Sequence, residues 1–227
     1  SDKFRTGYET FLRVALVVKT MKNLKVAQIG NRPVPFMSVI ANEGELVEKF
    51  GIQCIPLSLP DIAQQADKLV DDGDAELAAY YDEFTQRVDC SPMVAAANDP
   101  DNPMRSQMKD GVIRSLAQTL AIRDAIKKAG CSCASLSCWP SSKVWRGIPC
   151  IAIGELSSQG IPISCEGDIN GAITLAILNA CGLGKDPQFF ADLTIRHPDN
   201  DNAELLWHCG PFPYALKSES SHASMVN

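Results

Sequence analysis

Three polar residues stand at or near the ends of apolar runs, where they could hold a cation and move a proton. Glu166 follows the run 161–165 at once, Asp192 lies within the run 189–195, and His208 closes the run 204–208 before Cys209 and Gly210. Two carboxylates and an imidazole make a hard, mostly oxygen donor set. Such a set suits Mn²⁺ or Mg²⁺ and leaves positions open for a substrate. In an open parallel sheet the ligand crevice lies beyond the carboxyl ends of the strands, so polar residues there are the first to consider. Spacing alone does not separate a site from helix caps and loop ties, which use the same residue types at the same places.

The elements that must position these residues follow from apolar periodicity and its punctuation. Phe11, Leu12, Val14, Ala15, Val17, Val18 and Met21 recur densely through 5–21 and predict a mostly buried helix. Short apolar runs at 24–29, 54–59, 134–138, 161–165, 189–195 and 204–208 predict strands. Helices are expected over 43–50, 61–70, 75–87, 106–129 and 169–181, the last capped by Asp168 and ended by Gly182. The polar stretch 71–104 reads as an excursion around the 75–87 helix. Strands alternating with helices give an α/β fold: a doubly wound, mainly parallel sheet with helices on both faces. No internal repeat or low-complexity segment interrupts it.

Composition narrows the partners. The 227 residues carry 21 Lys and Arg against 27 Asp and Glu, a net charge of −6. Without a dense basic run, neither nucleic acid nor an anionic membrane surface is the expected partner; a small neutral ligand is. No apolar stretch reaches the roughly 18 residues of a membrane span, and the N-terminus lacks a signal pattern. Nine dispersed cysteines read as reduced thiols of a cytoplasmic protein rather than a disulfide framework. Cys131, Cys133 and Cys138 lack the two close pairs of a structural zinc site and read as small apolar residues of a buried strand.

The sequence around the three polar residues carries more information than their spacing. Ser164-Cys165-Glu166-Gly167-Asp168-Ile169-Asn170-Gly171, followed by Phe190-Ala191-Asp192-Leu193-Thr194, resembles the L-fucose isomerase family. The Glu-Gly-Asp step is also similar to L-arabinose isomerase, in which a His follows the second carboxylate as His208 does in Trp207-His208-Cys209-Gly210. Cys138-Trp139-Pro140, Ile148-Pro149-Cys150, Gly160-Ile161-Pro162 and Ile29-Gly30-Asn31-Arg32-Pro33 fit the same central domain. The resemblance covers 23–217 and is most specific in its last third. It implies that 1–22 is a helix from or linking to a preceding α/β domain, that 218–227 is a tail before a β-rich domain, and that a further His ligand to the metal comes from downstream of this chain.

That resemblance further implies an aldose–ketose isomerase acting on L-fucose, L-arabinose or a related pentose or 6-deoxyhexose. Glu166, Asp192 and His208 would hold Mn²⁺ or another divalent cation such as Mg²⁺. Glu166 and Asp192 would also move the proton between C2 and C1 while an enediolate forms. No organic cofactor is needed, and the full-length protein is expected to be a homo-oligomer. Trp139, Trp145 and Trp207 could stack on a sugar but are read as packing residues. Asn31 and Arg32 either reach the crevice or form a solvated turn, and His197 and His222 are read as solvated. Two other classes compete. A non-catalytic sugar-binding module would share the fold without a metal site. A nicotinamide-dependent dehydrogenase would need a glycine-rich turn after the first strand, which Ile29-Gly30-Asn31-Arg32-Pro33 lacks.

Overall fold

The structure is a computed structural model that describes residues 1–103, 105–108, 110–147 and 149–225. Met104, Lys109, Ile148 and the last two residues of the expected tail lie outside the described residues. The helices in chain order are α1 (Asp2–Met21), α2 (Glu43–Phe50), α3 (Leu59–Asp71), α4 (Ala75–Arg87), α5 (Ser91–Asn98), α6 (Arg105–Met108), α7 (Gly111–Lys128), α8 (Ser142–Trp145), α9 (Cys150–Ser158) and α10 (Ile169–Cys181). The strands are β1 (Lys25–Ile29), β2 (Gln53–Leu57), β3 (Cys133–Leu136), β4 (Ile163–Ser164), β5 (Asp192–Arg196) and β6 (Glu204–Trp207).

Strands β2, β1, β3 and β4 lie side by side in that order and are all parallel. Alternate residues along the strands point to opposite faces, and each face has its own core. Ala27, Ile29, Ala134 and Leu136 pack with residues of α3, α4, α7 and α9, including Ile62, Phe84, Leu116 and Ile153. Leu24, Val26 and Cys133 pack on the other face against Ile169, Ala172, Ile173 and Ala176 of α10. The doubly wound α/β architecture is as expected.

Local chemistry explains most boundaries. The Ser58, Asp74 and Asp168 side chains accept the backbone N–H groups of Asp61, Leu77 and Gly171, capping α3, α4 and α10. Because Ser58 rather than Asp61 is the cap, α3 begins two residues before its expected start. Helix α7 starts at Gly111 instead of 106, and α6 is a separate turn ahead of it.

Three differences matter more. Helix α1 has no buried residue; Phe4, Phe11, Val14 and Val18 are exposed, because the helix rests on α10 along one side and no other described element covers it. Helices α5 and α9 were not expected at all. Finally, β5 and β6 do not extend the parallel sheet but pair with each other as a separate antiparallel hairpin whose strand residues are all exposed.

Helix α9 is fastened by its one carboxylate. Buried Glu155 accepts the Tyr80 hydroxyl at 2.6 Å and the Arg87 Nη1 group at 3.0 Å, joining α4 to α9. Removing one member of such a buried pair strands the other charge, which costs about 3 kcal/mol. Glu155→Ala is therefore expected to lower the unfolding free energy by about that much, read as a lower urea midpoint at an unchanged slope.

Candidate metal centre

The segment after β4 turns sharply. Glu166 and Gly167 are both in the left-handed region, with φ of 63° and 69°. A non-glycine residue there carries about 1 kcal/mol of strain, a cost that tends to concentrate at functional positions. Glycine at 167 is also required by space, because a Cβ would lie 2.7 Å from the Arg32 nitrogen and 2.8 Å from its Cα. The loop after β4 thus sits directly on the loop after β1, and the Gly167 N–H donates to the Leu136 carbonyl of β3 at 3.1 Å. The Glu166 side chain is fixed at the carboxyl ends of the parallel strands, as the sequence implied.

Asp192 and His208 arrive by another route. They were expected on successive parallel strands. Instead Asp192 opens β5 and His208 follows β6, and the antiparallel register pairs Asp192 with Trp207. One end of the hairpin therefore presents both residues. A donor atom of His208, a Glu166 carboxylate oxygen and the Cys165 sulfur all lie within 4.8 Å of one another. Asp192 is exposed and outside that group, yet its charge acts on both Glu166 and His208.

Electrostatics follow from this crowding. Burial, then the charges of Asp192 and Asp168, push the Glu166 carboxyl above its usual range. Burial pulls His208 below the usual imidazole range, partly opposed by Asp192. Only 8% exposed, His208 packs its ring against Phe190 at 5.6 Å and accepts the Cys209 N–H at Nδ1, 2.9 Å away. Its buried Nε2 has no hydrogen-bond partner. An unpaired buried polar group costs about 1–3 kcal/mol, so a ligand at Nε2 would be favoured. A cation there requires the ring proton to move to Nδ1 and the Cys209 amide to turn away. The donor set fits a divalent cation: an imidazole, a carboxylate and the Cys165 sulfur gather within 4.8 Å, and the charge of a second carboxylate, Asp192, acts on two of them.

Sequence reasoning passed over Cys165, although it directly precedes Glu166. Its S–H points to the Cys138 sulfur at 3.0 Å, a contact that holds the Cys138 thiol low and the Cys165 thiol high. All nine cysteines are free thiols. Among the tryptophans, Trp145 is core and donates to the Ser137 carbonyl at 2.9 Å. Trp139 lies at the rim, 46% exposed and edge-on to Phe36, whereas Trp207 is 51% exposed rather than packed. Asn31 and Arg32 line a cavity of about 370 Å³ together with Gln28, Glu43, Gly167 and Ile169. Arg32 also ties its own loop by donating from Nη1 to the carbonyls of Pro33 and Val34 at 3.0 and 2.9 Å. His197 and His222 are exposed, as read. No helix among the described residues is long and apolar enough to cross a membrane.

Comparison with known proteins adds the chemical class. No family model matches the chain. It is 27% identical over 221 residues to a sulfoquinovose isomerase from Alkalicoccus urumqiensis, covering 94% of this chain and 44% of that protein. It is 26% identical over 218 residues to the sulfoquinovose isomerase of Priestia megaterium, again covering 94% of this chain and 44% of the relative. An L-arabinose isomerase from Clavibacter sepedonicus matches at 22% identity over 187 residues, 81% of this chain and 34% of that protein. The relatives it matches are sugar isomerases of two kinds. The resemblance to the L-fucose and L-arabinose isomerases is compatible with these similarities. The chain spans less than half the length of these relatives.

Two titrations test the electrostatics. In the metal-free protein, carbon-detected NMR is expected to place the Glu166 midpoint above those of solvent-exposed glutamates and the His208 midpoint below that of free histidine. Asp192→Asn removes a charge that raises both groups, so both midpoints are expected to fall; unchanged midpoints would separate Asp192 from the site. Gly167→Ala is expected to destabilise the fold by more than about 1 kcal/mol through its φ and the backbone it would strike, measured by thermal unfolding.

Proposed function

We propose that this chain is the cation-binding part of an aldose–ketose isomerase. The observation that carries the reading is the convergence of the Glu166 and His208 donors, with Asp192 beside them, in a chain whose relatives are sugar isomerases. Glu166, His208 and Asp192 would hold a divalent cation, Mn²⁺ or Mg²⁺ by the hardness of the carboxylates. When bound, that cation supplies positive charge opposite the two oxygens of an enediolate.

Glu166 and Asp192 take the proton work. Moving a carbonyl from C1 to C2 requires a base to remove a proton from carbon and an acid to return it to the neighbouring carbon. In the metal-free protein the raised Glu166 carboxyl accepts a proton more readily than an ordinary carboxylate does; beside a bound cation it would come back down, so that it could release the proton again. The adjoining 370 Å³ cavity is within the volume range of small-ligand sites and is lined by Gln28, Asn31 and Arg32, which can hydrogen-bond hydroxyls.

Sulfoquinovose stands ahead of L-arabinose and L-fucose as the substrate of the whole protein. The sulfoquinovose isomerases match over more of the chain and at higher identity. The whole protein is proposed to act in the cytoplasm as a homo-oligomer on a free sugar, without nucleic acid or membrane partners. A non-catalytic sugar-binding module remains the competing reading, and the same experiment separates the two.

Mn²⁺ titration by calorimetry on this chain is expected to show binding that Glu166→Ala and Asp192→Ala abolish. The intact gene product, assayed on sulfoquinovose, L-arabinose and L-fucose, is expected to lose isomerase activity with either substitution. Full activity in either variant would remove the proposed site, and sugar binding without turnover would favour the binding module.

A further inference from the structure

Beside the Glu166–His208 site lies a thiol pair that the isomerisation does not use. Cys138 follows β3 and Cys165 follows β4, the two neighbouring strands of the sheet's edge. Both are buried, at 1% and 0% exposure, and their sulfurs are 3.0 Å apart. A disulfide bond is about 2.05 Å long, so closure requires an approach of only about 1 Å. Cys165 is also one of the three residues whose donor atoms gather within 4.8 Å. The pair therefore sits at the base of the site and not apart from it.

We infer that Cys138 and Cys165 are a reversible two-electron redox pair, closed to a disulfide by a peroxide-class oxidant, and that closure weakens cation binding at Glu166 and His208. The second half of the inference rests on the cation-site reading above; the first does not. In the closing reaction one thiol sulfur attacks a peroxide oxygen, the O–O bond breaks, and water leaves a sulfenic acid behind. The second thiol then displaces that oxygen as a second water and the S–S bond forms. Two thiols and one hydrogen peroxide give one disulfide and two waters, and the sulfur pair has lost two electrons. A dithiol such as dithiothreitol reverses the step by exchange.

The consequence for the site is geometric. Drawing the Cys165 sulfur toward Cys138 shifts one of the three donor atoms gathered with those of Glu166 and His208. It also pulls on the residue immediately before Glu166, whose left-handed backbone aims the carboxylate. In the reducing cytoplasm proposed for this protein such a bond would be transient, which is the behaviour of a sensor and not of a structural staple.

The test uses this chain, reduced and then treated with one equivalent of hydrogen peroxide, alkylated under denaturing conditions and mapped by mass spectrometry. The expected result is a single Cys138–Cys165 linked peptide pair, the loss of two of nine free thiols, and full recovery with dithiothreitol. Cys138→Ala is expected to give no such link; Cys138→Val serves if the alanine variant fails to fold by circular dichroism. Links confined to other cysteines, or oxidation beyond sulfenic acid with no link, would overturn the pair. Mn²⁺ affinity measured before and after oxidation is expected to fall at least about ten-fold and return on reduction, and an unchanged affinity would overturn the coupling. Because the link is mapped without metal, its outcome is separate from that of the Glu166 and Asp192 substitutions.

Discussion

The candidate site depends on how closely two loops can approach. Gly167 rests against the backbone of Asn31 and Arg32, with no room for a Cβ. This contact brings the carboxyl end of β4 against that of β1, across the strand that lies between them. Glu166, the residue before it, takes a left-handed conformation as the chain reverses. The direction in which its side chain leaves the backbone is therefore set by backbone packing. Asp168, two residues on, caps α10 and anchors the far side of the turn. Three adjacent residues thus carry three different duties.

The second constraint is electrostatic. Glu166 feels Asp192 and Asp168 as like charges in a partly desolvated place. Without a counter-charge the arrangement is costly, and it keeps a proton on Glu166 to a higher pH than usual. Burial favours the neutral form of His208, whose Nε2 is unpaired. A divalent cation would relieve the carboxylates by its positive charge, and would take the Nε2 lone pair once the ring proton had moved to Nδ1. The hairpin that delivers Asp192 and His208 is itself exposed and makes its own hydrogen bonds, so those residues are positioned by register and by the Phe190 contact rather than by burial in the main core.

Much of this was legible in the residues. The Asp168 cap, the Ile169–Cys181 helix and the parallel strands each announce themselves through local chemistry: a carboxylate before a helix, apolar periodicity, short runs ended by glycine or proline. The hairpin was not legible as such, because a strand of alternating residues looks alike whether its neighbour is parallel or antiparallel, and pairing is decided at long range. Helix α9 was hidden because Cys150–Ser158 is apolar nearly all round and gives no amphipathic stripe. The exposure of α1 runs against its composition, since apolar periodicity reports a face that can be buried and not whether a partner is present. At the candidate site, Glu166, Asp192 and His208 are singled out by residue type and by resemblance, and the structure gathers Glu166 and His208. Cys165 and Cys138 are not singled out, because two cysteines 27 positions apart show no pairing signal until the strands that carry them are laid side by side.

The most direct measurement of the central claim is an anomalous diffraction map at the manganese edge from crystals of this protein grown with Mn²⁺. The account predicts one strong peak beside the Glu166 carboxylate and the His208 ring, within coordination distance of both, with Asp192 drawn in beside it. A peak elsewhere, or no peak at saturating Mn²⁺, would contradict it.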